Sequence, residues 1–157
     1  MSVAPAHLLP PEFHALTTRG HTVSIASHRG KVVLLTFWAT WCRECRTEMP
    51  MFQRLHRKFS DDGLRVLGVN FRENTVTIQR YAKQLNLTFP LLLDPDGGIK
   101  ASYGVIALPT TFLIGREGQP IGFAVGRRDW EGAEARELIE FLLAAPARSR
   151  GANSGPR

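Results

Sequence analysis

Cysteine is scarce in this chain: its 157 residues include two, Cys42 and Cys45. Two cysteines cannot build the multi-bridge scaffold that holds small secreted proteins together. They sit so close that a bridge between them closes a tiny loop and removes little chain entropy from the unfolded state. The purpose of such a bridge is chemical. Long apolar runs are also missing. Runs such as residues 32–35 and 91–93 are strand-sized, far short of the roughly 18 apolar residues a membrane helix needs, so no membrane span is expected. Residues 1–11 show no basic segment followed by an apolar one, so the sequence as written carries no secretory signal. There is no internal repeat. Lysine is rare, and the net charge of +6 rests mostly on arginine. Arg148, Arg150 and Arg157 lie in the C-terminal tail, and the others are interleaved with acids. That distribution describes a solvated surface, and no nucleic-acid partner is expected.

What is present suits one globular domain: 43% hydrophobic and 22% charged residues, on a chain long enough to enclose a core. Residues 1–12 read as an irregular lead-in, residues 13–145 as the domain, and the Pro/Gly/Ser/Arg-rich residues 146–157 as a disordered basic tail. Strands are predicted at residues 22–25, 31–38, 64–71, 90–93, 111–114 and 120–125. The run at 31–38 is apolar throughout, as a central strand covered on both faces would be. Helical spacing follows the cysteines. Met49, Phe52, Leu55, His56 and Phe59 share one side, and Pro50 should kink the helix. Further helices are predicted over 75–85, capped by Asn74 or Thr75, over 99–103 and over 130–143. Early strands alternate with helices, and a late hairpin follows. The order predicts an α/β domain with a central mixed sheet flanked by helices, and an N-terminal β extension.

The Cys42-Arg43-Glu44-Cys45 segment leaves a buried strand and opens a helix. Free N–H groups and the positive end of the helix dipole there favour a thiolate. Cysteines in that setting have pKa values of about 3.5–7.5, against about 8.5 for a free thiol, and the thiolate is the attacking species in exchange. This reading makes Cys42 the nucleophile. Cys45, one turn later, resolves the mixed disulfide. Arg43 favours the thiolate and Glu44 opposes it, so the potential stays open. A zinc site would need four ligands, and there is no second cysteine pair. Two inert buried cysteines fit poorly with a helix start and the aromatic approach Trp38-Ala39-Thr40-Trp41.

The segment WATWCRECRTEMP, residues 38–50, resembles the active-site segment of the thioredoxin fold. More narrowly, it resembles the TlpA/ResA/DsbE group of bacterial thiol–disulfide oxidoreductases. The similarity continues through GVNFREN (68–74), FPLLLDPDG (89–97), YGVIALPTTFLIGREGQP (103–120) and VGRRDW (125–130). The resemblance implies reduction of protein disulfides, apocytochrome c or other envelope proteins among the substrates. Electrons would come from another thiol protein. It implies no cofactor and no metal, and a monomer is expected. It points to the periplasm or cell envelope, against the missing signal, with the cytoplasm as the alternative. Pro109 matches the family's cis-proline, with Leu108 presenting its backbone to an extended substrate. Glu73 matches an acid near the cysteines that would pass a proton to or from Cys45. Trp41 would shield the disulfide and help dock the substrate. The acid that thioredoxins carry on their first core strand is replaced by Thr36. Many family members have proline before the second cysteine, where this chain has Glu44. Glu48 is expected to face solvent, as are Glu131, Glu134, Glu137 and Glu140.

Two other functions compete. A peroxiredoxin-like peroxidase would carry Thr or Ser three residues before its reactive cysteine, where this chain has Ala39. A thioredoxin-fold copper metallochaperone would use Cys-x-x-x-Cys and a distant histidine, whereas every histidine here lies between His7 and His56.

Overall fold

A seven-residue strand, Val32–Trp38, is buried along its whole length, and the other elements assemble on it. The computed structural model describes residues 1–3 and 9–145. Its elements in chain order are β1 (Ser2–Val3), β2 (His14–Leu16), β3 (Thr22–Ser24), β4 (Val32–Trp38), α1 (Arg43–Phe59), β5 (Leu64–Phe71), α2 (Thr75–Leu85), β6 (Leu91–Asp94), α3 (Gly98–Ser102), β7 (Thr110–Ile114), β8 (Pro120–Val125) and α4 (Ala133–Ala144). Six strands form one sheet in the order β1-β8-β7-β4-β5-β6, and β2 pairs with β3 in a separate hairpin. The β4–β5 and β5–β6 pairs are parallel. Strands β7, β8 and β1 join antiparallel. The expected mixed sheet between helices is what the chain forms.

Alternation along β4 divides the core in two. Val32, Leu34 and Trp38 pack in one cluster with Met49 and Phe52 of α1, Ile78 of α2 and Ile139 of α4. Val33, Leu35 and Phe37 pack in the other with Phe13, Ala15 and Ile114. The β2–β3 hairpin is therefore a cover for the second face, pinned to the sheet edge by the Thr17–Leu92 bridge. It is the expected N-terminal β extension, although its first strand, β2, gave no clear signal in the sequence.

Several boundaries differ from expectation for local reasons. The lead-in was expected to be irregular, yet Ser2 and Val3 pair with Phe123 and Gly122 at the sheet edge. Trp130 was placed in the last helix, but that helix starts at Ala133, and Trp130 is a fully buried residue of the preceding loop. Pro50 lies inside a continuous α1, where its missing N–H forgoes one bond. Asn74 caps α2, its side chain accepting from the Thr77 N–H at 2.8 Å. The tail, residues 146–157, lies outside the described residues.

One side chain ties the sheet pole farthest from the cysteines. The Arg116 guanidinium donates to the carbonyls of Gly30 (2.8 Å), Asp62 (2.9 Å) and Leu143 (2.7 Å). These lie before β4, before β5 and in α4. Among the described residues, no helix is long and apolar enough to cross a membrane.

Because β4 contributes to both core layers, truncating it is expensive. Leu34→Ala should lower unfolding free energy by about 2–5 kcal/mol, read as a lower urea midpoint at unchanged slope.

Candidate active site

Strand register brings the site together. In the parallel pair Trp38 lies opposite Asn70, so the loops after β4 and β5 emerge side by side. In the antiparallel pair Phe37 lies opposite Thr110, so the residues just before β7 arrive at the same edge. These are the Cys42 loop, the Glu73 loop and Leu108–Pro109. The carboxyl ends of parallel strands are where α/β sheets place their sites.

Cys42 is the N-cap of α1, with extended backbone, and its sulfur accepts from the Cys45 N–H at 3.2 Å. The two sulfurs are bonded to each other, with Cα atoms 5.3 Å apart. Their surroundings are unequal: Cys42 retains 7% exposure and Cys45 1%. Cys42 is thus the less deeply covered of the two. Trp41, immediately before the pair, is 67% exposed, which rules out a plain core tryptophan. The Leu108–Pro109 peptide bond is cis. Pro109 is buried and Leu108 half-buried, and the Pro109 carbonyl accepts from the Gly126 N–H at 2.8 Å.

Glu73 reaches this edge because Arg72 turns the chain through the left-handed region at φ 59°. Both oxygens of its carboxylate are engaged, by Thr40 of the neighbouring loop and by Asn70 of β5. Oε1 accepts from the Thr40 N–H (2.8 Å) and from the Asn70 amide (2.8 Å), and Oε2 accepts from the Thr40 hydroxyl (2.5 Å). The Asn70 side chain in turn accepts from the Glu73 N–H at 3.1 Å. Glu73 thus bonds to Thr40 on the loop ahead of Cys42 and to Asn70 on its own strand β5, and neither cysteine is among its partners. Thr36 is buried and accepts from the Thr111 hydroxyl at 2.9 Å.

Glu48 overturns an expectation. It was assigned to solvent, yet it is 1% exposed. It follows Cys45 by one helical turn, and residues so spaced are neighbours on one helix face. Its Oε2 accepts from the Arg128 N–H (2.9 Å) and from the Trp130 indole N–H (2.8 Å). Oε1 is buried with no hydrogen-bond partner. Burial, helped by the charge of Glu44, pushes the carboxyl up to about 7 against those two hydrogen bonds and the charge of Arg127. The available signal was the spacing: buried Cys45, Met49 and Phe52 bracket position 48 on the same face. The Arg127-Arg128-Asp129-Trp130 segment supplied the missing donors from a distance that periodicity does not register.

Three other acids form ion pairs with arginines. Arg127 bridges Glu44 at 3.3 Å, beside the cysteine pair. Arg54 holds Glu131 at 2.8 Å, and Arg128 holds Glu134 at 2.5 Å. These are exposed pairs, worth little to stability.

A two-cysteine redox centre at the start of a helix, on a mixed α/β sheet with a cis-proline strand beside it, defines a thioredoxin-fold thiol–disulfide oxidoreductase. The chain belongs to the AhpC/TSA family, whose model matches residues 9–119, and within it to the ResA-type thiol–disulfide oxidoreductases. The ResA protein of Bacillus thuringiensis subsp. konkukian is 33% identical over 133 residues, covering 85% of this chain and 73% of that protein. The crystal structure of StoA from Bacillus subtilis superposes with a TM-score of 0.69 at 30% identity, covering 87% of this chain and 98% of the other. A thiol:disulfide interchange protein of the thioredoxin family from Chlorobium tepidum TLS superposes with a TM-score of 0.76 at 27% identity, covering 90% and 100%.

The raised carboxyl has a thermodynamic consequence. Native Glu48 holds its proton to about pH 7, whereas the unfolded residue loses it near pH 4.5. The native state therefore binds more protons in that window, and stability falls as pH rises through it. Glu48→Gln keeps an acceptor oxygen and removes the titration. The variant should match wild type near pH 4.5 and exceed it at pH 8 by at most on the order of 3 kcal/mol. Urea titrations at a series of pH values measure this. A wild-type-minus-variant difference that stays flat with pH would show that the carboxyl does not titrate abnormally.

Proposed function

We propose that this oxidoreductase works as a reductase of disulfides in partner proteins, with Cys42 attacking and Cys45 resolving. The observation that carries the assignment is the unequal exposure of the two cysteines at a helix start. In the reduced enzyme the Cys42 thiolate attacks one sulfur of the partner's disulfide, and the other partner sulfur leaves as a thiolate. Deprotonated Cys45 then attacks the Cys42 sulfur of the mixed disulfide and releases the second partner thiolate. The partner gains two electrons and the enzyme closes its Cys42–Cys45 bond. A second thiol protein, acting as donor, reopens it by the same exchange in reverse.

The remaining residues serve these two steps. Trp41 and the backbone at Leu108–Pro109 flank the reachable sulfur and receive an extended segment of the partner. Glu73, expected to exchange a proton with Cys45, instead acts through Thr40: it fixes the loop that delivers Cys42. Glu48 is the carboxyl on the Cys45 face whose ionisation near pH 7 sets the charge beside that thiol. Its protonated form favours deprotonation of Cys45, since a like charge nearby disfavours the thiolate. A peroxidase reading is less well supported, because position 39, three residues before Cys42, is a buried alanine with no hydroxyl.

Insulin reduction with a dithiol donor tests the proposal. Cys42→Ser should fall to the uncatalysed rate. Cys45→Ser should accumulate a mixed disulfide visible on non-reducing gels. Retained turnover in Cys42→Ser would reverse the assignment, and rapid peroxide consumption by wild type would favour the peroxidase.

A further inference from the structure

A concavity lies away from the cysteines. A cavity of about 690 Å³ opens where the β2–β3 turn meets the C-terminal end of α2 and the first residues of β6. Its lining includes no residue of the redox site. Arg57, on its wall, follows Cys42 by fifteen residues, which places it roughly 22 Å away along α1. The volume falls within the range of small-molecule sites, about 300–1,000 Å³.

The lining has two characters. The floor is apolar, from Val23, Leu87, Phe89 and Leu91, the last three of them buried. The charged contribution is one-signed: Arg19, Arg57 and Lys83 line the cavity beside His21, and no acid does. Among the described residues, none of these four basic side chains forms an ion pair. Most of the described arginines and lysines lack an ion pair; what sets this cluster apart is its place around an apolar floor.

The turn carrying two of these groups is held rigidly over the opening. The Thr17 hydroxyl accepts from the N–H groups of Arg19 (3.2 Å) and His21 (3.1 Å). The Thr18 N–H donates to the Leu91 carbonyl at 3.0 Å, and the Gln79 amide donates to the Thr18 carbonyl at 3.1 Å. The turn is thereby fixed to both β6 and α2, the other walls of the cavity.

We propose that this cavity is a second binding site, for an organic anion with an apolar body, such as an alkyl carboxylate. The apolar part lies on Leu87, Phe89 and Leu91, and the anionic head meets Arg57, Lys83 and the Arg19–His21 turn. The site is independent of thiol exchange, and its occupant is recognised by charge and apolar surface together.

Calorimetric titration of the oxidised full chain with sodium decanoate tests this, with 1-decanol as the uncharged control. One saturable site per chain is expected, weakened roughly tenfold by Arg57→Glu and, separately, by Lys83→Glu, and weakened by added salt. Both residues are exposed, so both variants should fold and keep wild-type insulin reduction. Equal affinity for decanol, unchanged affinity in both variants, or no saturable binding would overturn the proposal. So would binding to phosphatidylglycerol vesicles without binding of free decanoate, which would make the patch a lipid-surface contact.

Discussion

Everything in the site depends on β4 being held from both sides. A strand with one buried face can slip register by trading its core face for solvent. Here both faces are buried, and such a slip would only exchange one set of core contacts for a worse one. The fixed register with β5 and β7 then delivers three loops to one edge without any long-range polar contact having to arrange them. The polar contacts that do occur, Glu73 to Thr40 and Glu48 to Trp130, trim a geometry already set by packing.

The two glutamates divide the work differently. Glu73 is half-buried and surrounded by donors, so its carboxylate holds the Thr40 loop to β5. Glu48 is buried with one oxygen bare, so its charge is costly and its effect is electrostatic. A bare carboxylate oxygen inside an apolar helix face is tolerable only if the group can shed its charge. The loop carrying Arg128 and Trp130 limits that cost through two donors without removing it.

Much of this was legible in the sequence. The apolar run of β4, the parallel alternation and the cysteine pair at a helix start each follow from residue type and local spacing. The site's proline and its flanking tryptophan rested on resemblance to a known family, as did Glu73. What the sequence concealed was tertiary. Strand β2 is three residues long, and its burial comes from the sheet it covers. Trp130 has the composition of a helix start but belongs to a loop, because its indole is drawn to Glu48. Glu48 itself has a surface residue's chemistry, and only the segment folding over it from eighty residues away makes it a core group. Acids on amphipathic helices are assigned outward by default, and the assignment fails where a distant chain segment brings donors.

The Arg116 clasp gives the molecule two poles of opposite character. At one, three strand ends meet in loops around the Cys42–Cys45 disulfide. At the other, a single guanidinium bonds the chain ahead of two central strands to the last turn of α4. Tension applied through α4 would enter the sheet by that clasp and be shared between β4 and β5 in parallel.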